Sequence, residues 1–264
     1  MAGLDKFYTK EHVSQGCVDQ LKNLFDLDVF KTIIEPSAGN GSFLKALPER
    51  TVALDIEPEA ENIKQQDWFT YTEKSEKPLL VIGNPPFGSR STLAKNFIEH
   101  SVKLKADVIA FILPVTFKKL SNQALTVFPK EYSLIGIYDM PKNSFLENGK
   151  DYGVTCSFFV WATGDFAKGR DNLRKVKIVD VKDFEFLPRG SVNADFCING
   201  NNGVIKKVSQ VTNSKAEHYI AAKDLDVESL KERFEALEYE WLSSVPGGNS
   251  WIGRQEILEA YTKK

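Results

Sequence analysis

A chain of 264 residues that is 42% hydrophobic can bury one large α/β core, or a core plus an appendage. Its formal net charge of −2 excludes a uniformly basic nucleic-acid coat, while leaving room for a local basic face. Cys17, Cys156 and Cys197 are odd in number and far apart, which argues against a disulfide framework or a zinc site and for a reducing compartment.

The first ten residues carry charge early and have no apolar h-region, and no apolar run nears the length of a membrane span. An intracellular protein, cytoplasmic or nucleoid-associated and not secreted, is the expectation. Thr9 is placed to cap a helix whose apolar positions are Val13, Cys17, Val18, Leu21 and Leu24. Tyr8 and Thr9 read equally as local capping and packing.

Thr32-Ile33-Ile34 predicts a short strand that ends in Glu35-Pro36-Ser37-Ala38-Gly39-Asn40-Gly41-Ser42-Phe43, and Ser42 to Leu47 predict a helix. Gly39 and Gly41 let backbone approach a ligand closely. The third glycine of a dinucleotide fingerprint is absent, which favours a nucleoside ligand without phosphates. A second strand runs over Val52–Glu57, and Asp55 at its end is placed to accept hydrogen bonds from ribose hydroxyls. Asp67-Trp68-Phe69 follows, an acid beside aromatics that suits an adenine amine and its ring.

Leu79 to Ile82 predict a buried parallel strand, and Asn84-Pro85-Pro86-Phe87-Gly88 lies just past its carboxyl end, where ligands bind in open α/β sheets. The paired prolines stiffen the loop, lack N–H donors and leave carbonyls free. A rigid loop offering an amide oxygen, bare carbonyls and a flat ring suits a planar substrate with an NH2 group.

A helix over Ser91–Leu104, a strand over Val108–Leu113, a helix over Thr116–Val127, and strands over Leu134–Tyr138 and Val154–Trp161 follow. The last two strands lack a crossover helix and predict an antiparallel hairpin. The expected fold is α/β: a doubly wound, mostly parallel seven-stranded sheet with a terminal antiparallel hairpin, plus a small α+β appendage. Residues 1–167 form the expected catalytic domain and 168–264 the substrate-binding appendage.

The appendage opens on Lys168, Arg170, Arg174, Lys175, Lys177 and Lys182, a basic run that reads equally as a solvated face. Asn199-Gly200-Asn201-Asn202-Gly203 predicts a hairpin turn. Helices are expected over Val227–Leu242, capped by Asp226, and over Arg254–Tyr261.

Taken together, Glu35 to Phe43, then Asp55, then Asp67, then Asn84-Pro85-Pro86-Phe87 resembles the amino-group class of S-adenosylmethionine-dependent methyltransferases. Within that class it is similar to the N6-adenine DNA methyltransferases, with a gamma-like motif order, over residues 5–162. The resemblance implies that Tyr8 and Thr9 touch the methionine end of S-adenosylmethionine, and that Glu35, Ala38 and Gly39 line the cofactor loop. It implies Asp55 on the ribose and Asp67 on the cofactor's adenine amine. Pro36, Gly41, Phe43, Ile56, Trp68 and Asn84 complete the implied cofactor contacts. Asn84 and the Pro85 carbonyl, beside Pro86, would take the two hydrogens of the target amine, and Phe87 would stack on the target base. Asn143 and Phe145 in the following hairpin loop are the implied further base contacts.

The implied reaction yields S-adenosylhomocysteine and needs no metal, in keeping with only His12, His100 and His218, widely spaced. Nucleic acid is the implied partner, DNA favoured over RNA, with an accessory subunit or a homodimer also in view and no membrane. A restriction–modification setting is one of several that fit. An RNA N6-adenine methyltransferase is the main alternative. A protein-glutamine methyltransferase resembles Asn-Pro-Pro-Tyr, against which Phe87 argues, and an N4-cytosine enzyme more often begins with Ser. A catalytically silent binding subunit is the alternative outside enzymes.

Overall fold

A computed structural model of the chain describes residues 7–119, 129–147, 149–175, 178, 181–239 and 251–263. Two compact units result: Met1–Lys118 with Thr126–Arg174, and Lys119–Leu125 with Lys175–Lys264. No helix of the described residues is long and apolar enough to cross a membrane.

The first unit is built on apolar runs that are buried on both faces. In β5 (Leu79–Gly83) every residue is buried, and in β6 (Val108–Pro114) all but the terminal proline. A parallel strand covered on both sides needs such a run, because neither face meets water. On one face Ile33, Leu80, Ile82, Ala110 and Ile112 pack with Cys17, Val18 and Leu21 of α1 (Glu11–Leu24). On the other, Ile34, Val81, Ile109 and Phe111 pack with Ala94, Phe97 and Ile98 of α2 (Thr92–Lys103).

The remaining strands are β2 (Thr32–Glu35), β3 (Val52–Asp55), β4 (Lys64–Gln65), β7 (Ser133–Asp139) and β10 (Cys156–Ala162). Their order in the seven-stranded sheet is β4-β3-β2-β5-β6-β10-β7. Pairing is parallel from β4 through β6. The hairpin is present, with its second strand tucked inside: β10 runs antiparallel to both β6 and β7. The chain order reverses between β2 and β5, so a crevice opens at the carboxyl ends of β2, β3 and β5.

Several local expectations are corrected. Thr9 is no helix cap: it belongs to β1 (Tyr8–Thr9), is buried, and pairs with Phe145, while Lys10 precedes the helix without a side-chain cap. Ser42 to Leu47 form turns rather than a helix, since Gly41 on one side and Pro48 on the other leave too few residues for a stable ladder. The loop after β7 is not irregular throughout; it folds into β8 (Phe145–Glu147) and β9 (Lys150–Tyr152), which join β1 in a three-stranded sheet. Of the helix expected over 116–127, a 3-10 turn Val115–Lys118 is seen, and 120–127 lie outside the described residues.

The second unit has a four-stranded sheet in the order β11-β14-β12-β13, namely Phe184–Leu187, Glu217–Ala222, Phe196–Asn199 and Ile205–Lys206. The Asn199–Gly203 turn joins β12 to β13 as a hairpin. Phe184, Phe196, Ile198 and Ile220 pack with Leu230 and Phe234 of α3 (Val227–Glu235) and with Ile257 and Tyr261 of α4 (Arg254–Thr262). Asp226 caps α3 by accepting from the Glu228 and Ser229 amides. That helix ends at Glu235, earlier than its expected end; 240–242 lie outside the described residues.

Much of the basic run serves internal contacts. The Arg170 guanidinium lies 4.6 Å over the Phe25 ring and bonds the Leu24 carbonyl. Arg174 donates to the Pro129 carbonyl at 2.8 Å, and Lys175 meets Glu259 at 2.8 Å. Lys177 lies outside the described residues.

Candidate active site

A cavity of about 300 Å³ opens in the first unit where β2, β3 and β5 end. Four turns build its three main walls. The first leaves β2 through Glu35, Pro36, Ser37, Ala38 and Gly39 and reaches Phe43. Gly39 has φ +54°, and a Cβ there would come within 3.3 Å of the Tyr8 ring. That conformation and that closeness both call for glycine. The Gly39 N–H donates to Asp55 Oδ2 at 2.8 Å, while Asp55 Oδ1 accepts from the Glu57 N–H at 2.8 Å. Each carboxylate oxygen keeps further lone-pair capacity for a ligand. Tyr8 hydroxyl donates to Glu59, which ties the β1 edge to the turn after β3.

The second wall comes from Asp55, Ile56 and Glu57, and from Asp67, Trp68 and Phe69. Asp67 caps the 3-10 turn Trp68–Thr70, accepting from the Phe69 N–H at 2.9 Å through Oδ1. Trp68 is fully buried against Tyr71, Phe97 and His100. His100 in turn meets the Tyr71 carbonyl at 3.0 Å, a structural contact away from the cavity wall.

The third wall is Asn84-Pro85-Pro86-Phe87. Ser37 hydroxyl donates to the Asn84 carbonyl at 3.1 Å, and the Leu93 and Ala94 amides donate to the Phe87 carbonyl at 3.2 and 3.3 Å. The loop is thus pinned at both ends. Asn84 Nδ2 faces the Phe7 carbonyl at 3.5 Å, which turns Oδ1 the other way. Oδ1 is buried and has no hydrogen-bond partner. No hydrogen bond among the described residues ends on the Pro85 carbonyl.

Glu35 is the second orphan. It is wholly buried at the end of β2, and its Oε2 has no partner. Burial first, then the nearby Asp55 charge, push its carboxyl up to about 8. Glu35, Asp55, Glu57 and Asp67 all line the cavity, and no Lys, Arg or His does so among the described residues. Such a wall favours a cationic occupant that brings hydrogen-bond donors.

Of the residues singled out in the sequence, Tyr8, Thr9, Glu35, Pro36, Ala38, Gly39, Phe43, Asp55, Ile56, Asp67, Trp68 and Asn84 to Phe87 meet around this one cavity. Three do not. Gly41, at φ +78°, closes the turn through a 2.7 Å bond to the Ala38 carbonyl. Asn143 is exposed in a left-handed turn at φ 58°. Phe145 is fully buried in the core, its backbone held by Thr9 and Tyr152. Phe69, named in sequence beside Asp67 and Trp68, lines the cavity too; Phe7, Glu57, Leu93 and Phe97 also line it and were not singled out. Glu57, two residues past Asp55, was legible from the strand end; Leu93 and Phe97, one helical turn apart on α2, were legible only as core. No group of three or more His, Cys, Asp or Glu fit to hold a metal occurs among the described residues.

Residues 51–149 match the family described as the EDM2 methyltransferase-like domain, a span that runs from β3 to the β8–β9 turn. No curated protein matches the chain. Among solved structures, a provisionally assigned RNA methyltransferase from Pyrococcus horikoshii is 16% identical over 61% of this chain and 87% of its own, with a TM-score of 0.46. A chain of a type I restriction–modification system is 13% identical over 97% of this chain and 62% of its own, with a TM-score of 0.44. The modification subunit of a provisionally assigned type I restriction enzyme from Vibrio vulnificus is 12% identical over 72% of this chain and 49% of its own, with a TM-score of 0.40. At these values the likenesses say nothing of what this chain acts on. The family match supplies the coarse statement: residues 51–149 are similar to a methyltransferase-like domain.

Proposed function

We propose that this chain transfers a methyl group from S-adenosylmethionine to the N6 amine of an adenine in DNA, with the base flipped out or unpaired. The observation that carries the reading is the buried, partnerless Asn84 Oδ1 beside an unbonded Pro85 carbonyl and the Phe87 ring. Two acceptors and a flat ring in one rigid loop match an exocyclic amine on a planar base. The acidic wall with its glycine turn supports the cofactor half of the reading, since S-adenosylmethionine brings an ammonium, a sulfonium and ribose hydroxyls.

Bound S-adenosylmethionine supplies the electrophilic methyl group. The chain's own part is positioning. Adenine N6 is a poor nucleophile because its lone pair is delocalised into the ring. Asn84 Oδ1 and the Pro85 carbonyl accept its two hydrogens, draw the nitrogen toward sp3 geometry and localise the pair. The N6–methyl bond would form as the sulfonium C–S bond breaks, with S-adenosylhomocysteine as the leaving product and one proton passing from N6 to water. Phe87 stacks on the base and offsets part of the unstacking cost, about 1–3 kcal/mol on aromatic platforms. Asp55 takes the ribose hydroxyls, Asp67 the cofactor's adenine amine, and Glu35 with Tyr8 and Thr9 the methionine end. Holding both reactants in one cavity accounts for most of the expected barrier reduction.

The test is direct. The full chain is incubated with methyl-labelled S-adenosylmethionine and, separately, duplex DNA, single-stranded DNA and RNA, and the digested nucleosides are identified. N6-methyladenine from DNA is the expected product. Label in N6-methyladenine from RNA alone moves the substrate to RNA, and label only in protein glutamine or in no product sinks the reading.

A further inference from the structure

The second unit neutralises many of its cations internally. Lys175 meets Glu259 at 2.8 Å, Lys206 meets Glu217 at 3.1 Å, and Arg233 meets Asp183 at 3.0 Å. Lys223, Lys231 and Lys263 are likewise paired with carboxylates. Arg189 and Arg254 are exposed and form no ion pair with any described residue. Lys182, Lys207 and Lys215 also lack one, but the two arginines differ in what they flank.

They border a row of aromatic rings. The Arg254 guanidinium lies 5.0 Å over the Phe186 ring and donates to the Leu187 carbonyl at 3.1 Å, so its position is fixed. Phe186 meets His218 at 6.1 Å, and His218 meets Trp251 at 5.2 Å between ring centroids. Phe186 and Trp251 are each half-buried. The indole lies against Gly200, where even a Cβ would come within 2.4 Å. Arg189 follows β11 in a turn closed by the Ser191 N–H on the Pro188 carbonyl at 3.1 Å, near enough for its charge to act on His218. Burial, with the Arg254 and Arg189 charges added, holds the His218 imidazole below its ordinary range, and the largely buried Lys119 ammonium donates to the Trp251 carbonyl at 2.7 Å.

Unpaired guanidiniums suit phosphates, and a half-open indole beside them suits a base. An acidic peptide would use the former and leave the latter idle. We infer that this face of the second unit binds an unpaired stretch of nucleic acid, with Arg189 and Arg254 on its phosphates and Trp251 stacked on a base. The inference rests on the proposed nucleic-acid substrate and extends it to residues outside the cavity. It also shifts the expected contact away from the basic run at 168–182, where Arg170, Arg174 and Lys175 are already engaged.

The test is binding without turnover. Fluorescein-labelled single-stranded DNA and RNA oligonucleotides are titrated with the full chain over a salt series, with no S-adenosylmethionine present, and anisotropy is read. The Arg189→Gln/Arg254→Gln double variant should bind about tenfold more weakly at moderate salt. Its log–log salt slope should fall by about 1.4, since each phosphate contact on a single strand contributes about 0.7. Trp251→Ala should weaken binding by roughly tenfold and Trp251→Phe by less, because a smaller ring still stacks. Should Trp251→Ala misfold, the exposed arginine variants and Trp251→Phe decide the matter, with thermal unfolding as the control. An unchanged slope and affinity in the double variant overturns the inference, as does wild-type chain that binds neither oligonucleotide. Equal competition by polyglutamate overturns it too, and assigns the face to an acidic protein. Methyl transfer with unchanged variant binding would remove this inference and leave the proposed function; binding as expected with no nucleoside methylated would do the reverse.

Discussion

The Gly39 N–H donates to Asp55 Oδ2 at 2.8 Å, and with the Glu59 N–H on the Gly39 carbonyl at 3.0 Å this bond joins the turns that leave two neighbouring strands. Asp55 thereby sets the shape of the glycine turn before any ligand arrives. Asp55→Ala should lower cofactor affinity by at least about tenfold, and should also cost about 1.5–3 kcal/mol of stability from the lost charged hydrogen bonds. Isothermal calorimetry with S-adenosylmethionine and a thermal melt read the two effects. A variant with full affinity and an unchanged melt would remove Asp55 from both roles.

Asn84→Ala removes the orphan amide oxygen and leaves the glycine turn untouched. Transfer should drop by at least about a hundredfold, in line with losing one preorganised polar group at a reacting centre. Cofactor affinity should change little. Single-turnover kinetics beside a cofactor titration separate the two, and retained turnover would end the assignment of the loop.

Phe87 carries the stacking expectation. Phe87→Ala should raise the KM for nucleic acid by the equivalent of about 1–3 kcal/mol, whereas Phe87→Trp should cost much less because any flat ring stacks. A Trp variant as impaired as the Ala variant would mean that shape, not stacking, matters there.

Glu35 makes a statement about pH. Burial and then the Asp55 charge push its carboxyl up to about 8 from an ordinary 4.5, so the folded state keeps a proton that the unfolded chain has already lost. Between those two values the unfolded state binds fewer protons, and stability falls as pH rises. Below about 4.5 the group contributes no penalty; by pH 8 the penalty is fully developed. Glu35→Gln, neutral throughout, should melt several degrees above wild type at pH 8 to 9, and the gap should close toward pH 5. The same variant should bind S-adenosylmethionine more weakly. Parallel melts across that pH range without ligand provide the check, and a gap that does not change with pH would contradict it.

The parts legible in the sequence were those written in consecutive residues. Leu79 to Ile82 and Val108 to Leu113 are apolar without a break because both faces of their strands are covered, so their place in the sheet was plain. The turns at Gly39, Asp55 and Asn84 stand directly after such strands, and the fold brings them to one crevice. What stayed hidden depends on distant pairing. Tyr8 and Thr9 form a two-residue strand whose partners, Leu146 and Phe145, lie far along the chain. Two residues carry no periodicity, so Thr9 looked like a helix cap. Phe145 looked like a base contact because it sits in a loop after β7, yet its pairing with Thr9 draws it into the core. The short Ser42–Leu47 stretch had helix-forming residues, and Pro48 denied it length.

The position of β10 between β6 and β7 bears on how the chain can be cut. A fragment of residues 51–149, the span of the family match, would hold β3 through β7 but neither β2 nor β10. Each missing strand is an interior one. Without β2, the β4–β3 pair loses its only link to β5; without β10, β7 loses its only neighbour in the sheet. The sheet would fall into three pieces with raw edges, prone to pairing with other copies. The smallest portion able to fold around the cavity therefore has to reach from β1 through Ala162, and a newly made chain gains a continuous seven-stranded sheet only once β10 has emerged.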